Sequence, residues 1–329
     1  MRTITYREAI REALQYKLED DERVFLLGED IGIYGGAFGV TKGLLEQFGT
    51  ERVRDTPISE LGITGVAVGA ALTGMRPIVD IQFSDFLTLA LDQIVNQAAK
   101  IRYMFGGKAS VPLVVRTPSG SGTGAAAQHS QSLEAWLAHI PGLKVVQPAT
   151  AYDAKGLMIA AIEDGNPVII YEHKLLYDKT GTVPGQPYRI PLGKADIKRQ
   201  GTDITVVATG ILVQRALQAA HILAQKGISV EVIDPRTLVP FDEATVLESV
   251  RKTGRALVTH EAVERAGYGA EIASIIADKA FHALQAPVKR LGGKAVPIPN
   301  NKRLERKAVP QVEDVVTIVE KMMNFSITT

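Results

Sequence analysis

Cysteine is absent from the 329-residue sequence. The chain can therefore form no disulfide, bind no zinc through thiolates and use no cysteine nucleophile, and this composition fits a reducing compartment. A strong charge of either sign is also absent, since the formal net charge is +1. That balance provides no bulk electrostatic basis for binding nucleic acid or an acidic membrane surface, and we expect neither partner.

Long hydrophobic runs are missing as well. The N-terminal stretch MRTITYREAIREALQYKLEDD has no uninterrupted apolar core of the kind that a signal peptide requires. The apolar segment 61–75 is shorter than the roughly 18–20 residues that a membrane-spanning helix needs, and it is rich in glycine and alanine. The sequence therefore predicts a cytoplasmic protein in which this segment is a core helix packed closely against another helix.

Helical and strand patterns alternate along the chain, and the strands are continuous apolar runs such as RPIVDIQF, PVIIYEH and DITVVATG. Such runs are typical of parallel sheets that are covered on both faces, so the predicted fold class is α/β. Prolines and glycines interrupt the pattern between about residues 176 and 200. We therefore predict two parallel-sheet α/β domains, residues 1–180 and 201–329, joined by a linker at 181–200.

A glycine-rich stretch, GSGTGA at 120–125, matches the G-x-G-x-x-A pattern of dinucleotide-binding turns. Pro118 precedes it, and the next strand ends in Gln147 where a ribose-binding acid would be expected, so a nicotinamide site is disfavoured. A flexible glycine-rich loop of an active site is the better interpretation. The motifs G-x-x-x-x-G-K-[ST], G-x-S-x-G and H-E-x-x-H are absent, and the charge cluster KRLERK at 302–307 predicts a solvated loop.

Two residues are candidates for catalysis. Glu60 precedes the uncharged segment 61–75, and Ser59 is a plausible N-cap, so the local pattern alone favours a helix-capping role for this acid. The apolar helix nevertheless predicts a desolvated carboxyl that holds or shares a proton near neutral pH. His129 lies among small and polar residues, AAAQHSQS, which leave its imidazole room to face a cavity. A structural hydrogen-bonding role is the alternative for this histidine.

Several segments resemble, in order, the β subunit of the E1 component of 2-oxo acid dehydrogenase complexes: DTPISELGITGVAVGAALTGMRPI, FGGKASVPLVVRTPSGSG, AAAQHSQSLEAW, PGLKVVQPATAYDAKGL and VIDPRTLVPFD. The resemblance covers nearly the whole chain. It implies a pyrimidine-binding α/β domain, a transketolase-type C-terminal domain and thiamine diphosphate as cofactor. The family's GDG motif for magnesium and diphosphate belongs to the α subunit and is absent here. The resemblance therefore implies an α2β2 heterotetramer, whose α subunit binds Mg²⁺, and an E2 lipoyl acyltransferase as partner.

The resemblance also assigns roles to individual residues. Glu60 occupies the position of a glutamate that hydrogen-bonds N1′ of the aminopyrimidine, where proton exchange favours the imino tautomer that deprotonates the thiazolium C2. Phe86 in QFSDF matches an aromatic residue packed on the aminopyrimidine, with Gln82 nearby. His129 matches a histidine that faces the substrate and the incoming lipoyl group. A potassium-binding loop of some relatives is matched by Leu113, Ala161, Ile162, Asp164 and Asn166.

The sequence does not decide between two substrates, acetoin and pyruvate. The segments RYMFGGKA and IPLGKADIK look most like acetoin dehydrogenase β subunits, whereas the closing MMNF also suits a bacterial pyruvate dehydrogenase. Both reactions pass through a two-carbon, hydroxyethyl-type adduct on thiamine diphosphate and end by acetylating a lipoyl group. The alternatives are a branched-chain 2-oxo acid dehydrogenase E1 β subunit, a stand-alone transketolase-like enzyme and a non-catalytic scaffold subunit. The missing diphosphate motif argues against the stand-alone enzyme, and the Glu60 and His129 matches argue against the scaffold.

Overall fold

The computed structural model describes residues 1–325, which form two compact units. The first unit comprises residues 1–119 and 136–192, and the second comprises residues 120–135 together with those from 193 onward. The segment 120–135, which we expected in the first domain, therefore groups with the second unit. The residues up to 192 stay with the first unit because a strand at 180–183, which runs into the expected linker from its N-terminal end, pairs with the N-terminal strand.

The elements up to residue 192 alternate between strands and helices. In chain order they are β1 (Arg2–Thr5), α1 (Tyr6–Asp20), β2 (Val24–Gly28), α2 (Leu44–Phe48), β3 (Val53–Asp55), α3 (Glu60–Leu72), β4 (Arg76–Asp80), α4 (Leu87–Asp92), a π-helical segment (Gln93–Ala98), α5 (Ala99–Met104), β5 (Val114–Ser119), α6 (Glu134–Ala138), β6 (Lys144–Val146), α7 (Ala151–Glu163), β7 (Val168–His173) and β8 (Thr180–Val183). Two 3₁₀ turns, Ser84–Phe86 and Lys174–Leu176, precede α4 and follow β7.

The elements after residue 192 follow the same alternation. They are β9 (Asp196–Arg199), β10 (Ile204–Ala208), α8 (Ile211–Ala224), β11 (Val230–Asp234), β12 (Thr237–Val239), α9 (Glu243–Thr253), β13 (Ala256–Val263), α10 (Tyr268–Lys279), a 3₁₀ turn (Phe281–Ala283), β14 (Lys289–Gly293), α11 (Lys302–Ala308) and α12 (Val312–Met323).

Each unit is built on a parallel sheet, which confirms the predicted fold class. In the first unit the strands are ordered β6-β7-β5-β4-β2-β3 and are all parallel, while β1 and β8 form a separate antiparallel pair. The register places Gly28 opposite Asp80 and Asp80 opposite Arg116, so the carboxyl ends of β2, β4 and β5 meet at one edge. In the second unit the order is β14-β13-β10-β11-β9, with only β9 antiparallel to its neighbour in that sheet.

Helix α3 forms where the apolar segment predicted it, and the predicted cap is present. The Ser59 Oγ accepts a hydrogen bond from the Gly62 N–H at 3.3 Å. One face of α3 is buried through Ile63 and Val68, among others, but Leu61 and Val66 are exposed on the other face. The helix is thus half covered within this chain. Among the helices of residues 1–325, none is long and apolar enough to cross a membrane.

The KRLERK cluster forms helix α11, so the predicted loop is wrong. Asn301 caps this helix, because its side-chain oxygen accepts hydrogen bonds from the Arg303 and Leu304 N–H groups at 3.1 and 3.3 Å. Lys, Arg, Leu and Glu are good helix formers, so an asparagine cap in front of them suffices to begin a helix. The expected solvation is also wrong for one member of the cluster, since Glu305 is buried.

Candidate active site

Glu60 is a buried acid without a protein partner. It opens α3 and is 6% exposed. Among residues 1–325, no hydrogen-bond donor or cationic side chain pairs with its carboxylate. An acid that is largely shielded from water and has no protein partner calls for an explanation in function or in a missing ligand. Glu60 therefore has the setting of a residue that is completed by something outside this chain.

Glu29, which the sequence analysis missed, stands in the same acidic neighbourhood. It follows β2 in the apolar-strand sequence VFLLGED. Burial raises the pKa of its carboxyl, and the negative charges of Glu60, Asp30 and Asp80 raise that pKa further. Gln82 lies beside Glu29, since its Nε2 donates a hydrogen bond to the Glu29 carbonyl oxygen at 3.2 Å. The only sequence signal for Glu29 was an acid directly after a buried strand.

Phe86 is half-buried and belongs to an aromatic cluster. Its ring packs edge-to-face against Phe83, with the ring centroids 5.9 Å apart. Phe83 packs edge-to-face on Phe38 at 5.8 Å, and Phe38 stacks on Tyr177 at 5.0 Å. Such contacts restrict the orientation of each ring, so the Phe83 contact limits the orientation of Phe86.

A buried ion cluster supports the sheet edge. The guanidinium of Arg116 on β5 bonds to Glu172 through two nitrogens at 2.8 and 2.5 Å, and it also pairs with Asp80. The Tyr177 hydroxyl donates to Glu172 at 2.7 Å. Burial alone would lower the pKa of Arg116, but the two carboxylates hold it well above its ordinary value. The cluster therefore contains a permanent cation between two acids, on three neighbouring strands.

The residues matched to a potassium loop are brought together. The Val111 N–H donates to the Gly165 carbonyl at 3.2 Å, and the Val168 N–H donates to the Leu113 carbonyl at 2.9 Å. These bonds place the segment around Leu113 beside the turn that follows α7. The turn contributes carbonyl oxygens and the Asp164 carboxylate, and the 111–113 segment contributes carbonyls, which are the kinds of oxygen that a hard cation prefers.

Cations of the chain itself already contact this turn. One terminal nitrogen of Arg76 donates to the carbonyls of Ile162 and Asp164 at 2.8 and 3.2 Å. Lys144 pairs with the Asp164 carboxylate, and the Asn166 side-chain amide donates to the same carboxylate at 2.9 Å. Part of the negative potential of the loop is therefore neutralised within the chain.

His129 lies in the second unit, after the glycine-rich turn, and is half-buried. The turn was expected to be flexible, but its backbone is held by side chains. The Ser121 N–H donates to Glu261 at 2.5 Å, and the Gly122 N–H donates to Glu305 at 2.7 Å. Backbone N–H groups that could cradle a phosphate therefore bind two carboxylates of the chain, which explains why the turn resembles a dinucleotide motif.

A third acid is buried next to this segment. Glu134 is 2% exposed, and one of its carboxylate oxygens has no hydrogen-bond partner among residues 1–325. Burial raises its pKa to about 7, and the nearby charge of Glu261 contributes to the rise. Residues 130–133 also line a cavity of about 320 Å³ together with Glu261, Arg265 and Lys294. The segment that carries His129 thus borders a cavity with acidic and basic groups.

Comparison with known families gives two matches that together span most of the chain. Residues 2–180 match the transketolase pyrimidine binding domain, and residues 193–315 match the transketolase C-terminal domain. A split-gene transketolase, described as an inactive β4 tetramer, has the same fold with a TM-score of 0.80 at 24% identity, covering 98% of this chain and 99% of that one. The chain therefore has the two-domain α/β architecture of the thiamine-diphosphate-dependent transketolase type.

Relatives with assigned names narrow the class. The β subunit of acetoin:2,6-dichlorophenolindophenol oxidoreductase from Bacillus subtilis is 47% identical over 98% of both chains. The pyruvate dehydrogenase E1 component subunit β from Rickettsia felis is 48% identical over 98% of this chain and 99% of its own. The 2-oxoisovalerate dehydrogenase subunit β from Bacillus subtilis is 46% identical over 99% of this chain and 100% of its own. The chain belongs to the family of E1 β subunits of 2-oxo acid dehydrogenase complexes, as its sequence motifs predicted.

Proposed function

We propose that this chain works with an α subunit in an α2β2 E1 component, converts acetoin or pyruvate, and reductively acetylates the lipoyl group of an E2 acyltransferase. The single observation that carries the proposal is Glu60, a buried carboxylate that pairs with nothing in residues 1–325. An acid in that state fits a heteroaromatic nitrogen of a cofactor, because such a nitrogen supplies the missing hydrogen bond.

Glu60 would hold the aminopyrimidine through its N1′ atom and exchange a proton there. Thiamine diphosphate, when bound, supplies the carbanion-stabilising chemistry, while the protein supplies position and proton control. Glu29 is a second acid of this neighbourhood, where burial and the charges of Glu60, Asp30 and Asp80 raise the pKa of its carboxyl.

Phe86 and Gln82 would position the cofactor ring. Phe86 is half-buried and restrained by its edge-to-face contact with Phe83, and an aromatic ring held in this way suits packing against a flat heterocycle. Gln82 is restrained by its bond to the Glu29 backbone. Restrained side chains lose little entropy when a ligand binds, so both residues suit a preorganised site.

His129 would deliver a proton during transfer to the lipoyl group. When the carbon nucleophile attacks one sulfur of the lipoyl disulfide, the S–S bond breaks and the other sulfur leaves as a thiolate. His129 would donate the proton that this sulfur takes up, since an imidazole can give up a proton near neutral pH. Turnover with an artificial electron acceptor has no such thiolate and needs no such donor.

The need for partner subunits rests on two features. The GDG motif that would bind Mg²⁺ and diphosphate is absent from this sequence, so the α subunit would supply it. Ile58, Leu61 and Val66 around the start of α3 are 82%, 49% and 65% exposed, and apolar surface of this kind is typical of a subunit interface. Both features favour an assembly in which this chain holds part of a shared cofactor site.

The purified chain alone tests the assembly. We expect it to bind thiamine diphosphate poorly and to show no turnover with acetoin, pyruvate or 2-oxoisovalerate. Addition of the α subunit should restore turnover, with acetoin or pyruvate exceeding the branched substrate. Robust activity of the isolated chain would refute the proposed assembly, and a preference for 2-oxoisovalerate would refute the proposed substrate class.

A second experiment tests His129. In the reconstituted complex, His129→Ala should slow lipoyl-dependent turnover on the order of 10²-fold, while turnover with an artificial electron acceptor stays near the wild-type rate. His282→Ala, which alters an exposed histidine of the same unit, is the matched control and should change neither assay. Equal losses in both assays would make His129 a substrate-positioning residue, and no loss in either would leave it a structural one.

A further inference from the structure

The glycine-rich turn has a backbone conformation that directs several N–H groups to one side. Gly120, Gly122 and Gly124 have φ values of 84°, 102° and 73°, in the left-handed region that favours glycine. Ala126 continues this alternation with a φ of 63°. Successive N–H groups in such a turn form a concave anion-binding nest. The turn therefore needs a negative group to satisfy its backbone donors.

The carboxylate of Glu305 is the negative group that binds two of these backbone donors. One of its carboxylate oxygens accepts from the Gly122 N–H at 2.7 Å, and the other accepts from the Gly124 N–H at 3.1 Å. The side chain is 2% exposed, although the flanking members of KRLERK are exposed. Hydrogen bonds from backbone N–H groups to an ionised carboxylate are stronger than bonds between neutral groups. A lone buried acid in a basic helix is thus used to hold a turn that lies 181–183 residues away in sequence.

The helix that carries Glu305 is itself anchored. The Lys294 N–H donates to the Ala308 carbonyl at the end of α11 at 2.8 Å. Arg215 on α8 donates to the Pro310 carbonyl at 2.6 Å and lies 3.7 Å from Glu261, the acid that holds the Ser121 N–H. The elements that carry the two carboxylates, β13 and α11, are therefore both linked to α8 through Arg215.

We propose that Glu305 is a positioning residue that fixes the turn 120–124 and thereby orients the His129 segment for transfer to the lipoyl group. This inference rests on the proposed role of His129. Glu305 touches the backbone of the turn, and its effect on the reaction passes through His129. Without the carboxylate, the Gly122 and Gly124 N–H groups lose their partner, and a turn with three glycines has many other conformations open to it.

The test compares Glu305→Ala and Glu305→Gln in the complex reconstituted with the α subunit and E2. Amide hydrogen exchange of the peptide that covers residues 121–129 should accelerate on the order of 10-fold in Glu305→Ala. The kcat of lipoyl-dependent turnover should fall on the order of 10-fold, while turnover with an artificial electron acceptor is retained. Glu305→Gln should lie between wild type and Glu305→Ala, because its amide oxygen still accepts one hydrogen bond.

Glu313→Gln is the matched control, since Glu313 is an exposed acid that pairs with Arg306 of the same basic helix at 3.1 Å. It should leave both exchange and turnover unchanged. Unchanged exchange of residues 121–129 in Glu305→Ala would overturn the proposal, and so would equal losses in the two turnover assays. If Glu305→Ala does not fold, the same two readouts on Glu305→Gln decide the matter.

The outcomes separate this inference from the proposed function. If His129→Ala has no effect but Glu305→Ala still accelerates exchange and slows lipoyl transfer, the turn is positioned for another residue and only the role of His129 fails. If His129→Ala slows lipoyl transfer and Glu305→Ala does not, the role of His129 stands and the inference about Glu305 fails.

Discussion

The two units bury acids in different ways. In the first unit, Asp80 and Glu172 face the guanidinium of Arg116, so a permanent cation neutralises them inside the sheet. In the second unit, Glu261 and Glu305 accept hydrogen bonds from the backbone of a glycine-rich turn. The first arrangement joins strands that the sheet already holds together. The second joins a turn to elements that are distant in sequence, so its acids help to hold a glycine-rich segment that has many other conformations open to it.

Glu60 follows neither pattern. It is buried like the other acids, yet neither a cation nor a backbone donor of residues 1–325 satisfies it. The contrast separates acids that are paired within the fold from an acid that the proposed cofactor would pair with. It also implies that removing the charge has a different consequence at each site, and the following changes test that difference.

The largest effect is expected from Glu60→Gln. The amide is nearly isosteric and keeps the fold, but it cannot exchange a proton, so kcat of the complex should fall about 10²–10⁴-fold. The measurement is turnover together with the exchange rate of the cofactor C2 proton, with thermal melting as a control for folding. Near-wild-type values of both rates would refute the catalytic role of Glu60 and leave it a structural role at the start of α3.

Arg116→Met should give the largest loss of stability. The change leaves two buried carboxylates without their cation, and breaking a buried ion pair in this way costs about 3–5 kcal/mol. Arg306→Met removes the exposed pair with Glu313 and should cost at most about 1 kcal/mol. Urea unfolding of the two variants measures the difference. Equal losses would show that the buried cluster adds no more than a surface ion pair.

Glu134→Gln should change how stability depends on pH. The folded-state pKa of about 7 lies above the ordinary value of 4.5, so the folded chain keeps a proton that the unfolded chain releases. Stability from this group is fully present below pH 4.5 and is lost as the pH rises through 7, in total roughly 3 kcal/mol. Glu134→Gln has no carboxyl to titrate, so its free energy of unfolding should rise relative to that of wild type as the pH increases from 4.5 to 7.

His260 acts with the opposite sign in the same unit. Burial lowers its pKa to about 4 from an ordinary 6.5, so stability is lost as the pH falls through that window. Wild type and Glu134→Gln share this contribution, and it cancels in their difference. Unfolding free energies of both proteins at pH 5 and pH 8 provide the measurement. A difference that is the same at both pH values would contradict the raised pKa of Glu134.

The smallest effect is expected from potassium. If the carbonyls around Ile162 and Asp164 bind the ion in spite of Arg76, a potassium concentration of 100 times Kd should add roughly 2.7 kcal/mol of stability, and lower concentrations less. Melting of the complex in potassium chloride is compared with melting in a bulky organic chloride at equal ionic strength. Identical melting temperatures would mean that the turn binds no potassium and that Arg76 and Lys144 alone neutralise its oxygens.

Much of the molecule could be predicted because the signals were local. Apolar runs between helical patterns specified parallel strands such as β4 and β7, and Ser59 before an apolar stretch specified the start of α3. The missed helix α11 was a local signal as well, since Asn301 stood directly before helix-forming residues. Motif resemblance added the family and the candidate roles of Glu60 and His129.

Tertiary structure alone decided which charges meet. Arg116 contacts Asp80 and Glu172 because parallel register brings three strands together, and Glu305 contacts Gly122 across 183 residues of sequence. Composition and periodicity act over a few residues, whereas burial and pairing of a charge depend on chain segments that only the fold makes neighbours. The sequence by itself therefore determined the layered α/β architecture and where its acids occur along the chain. The folded chain determined that one acid binds a turn, that another binds a cation, and that Glu60 is buried with no partner among residues 1–325.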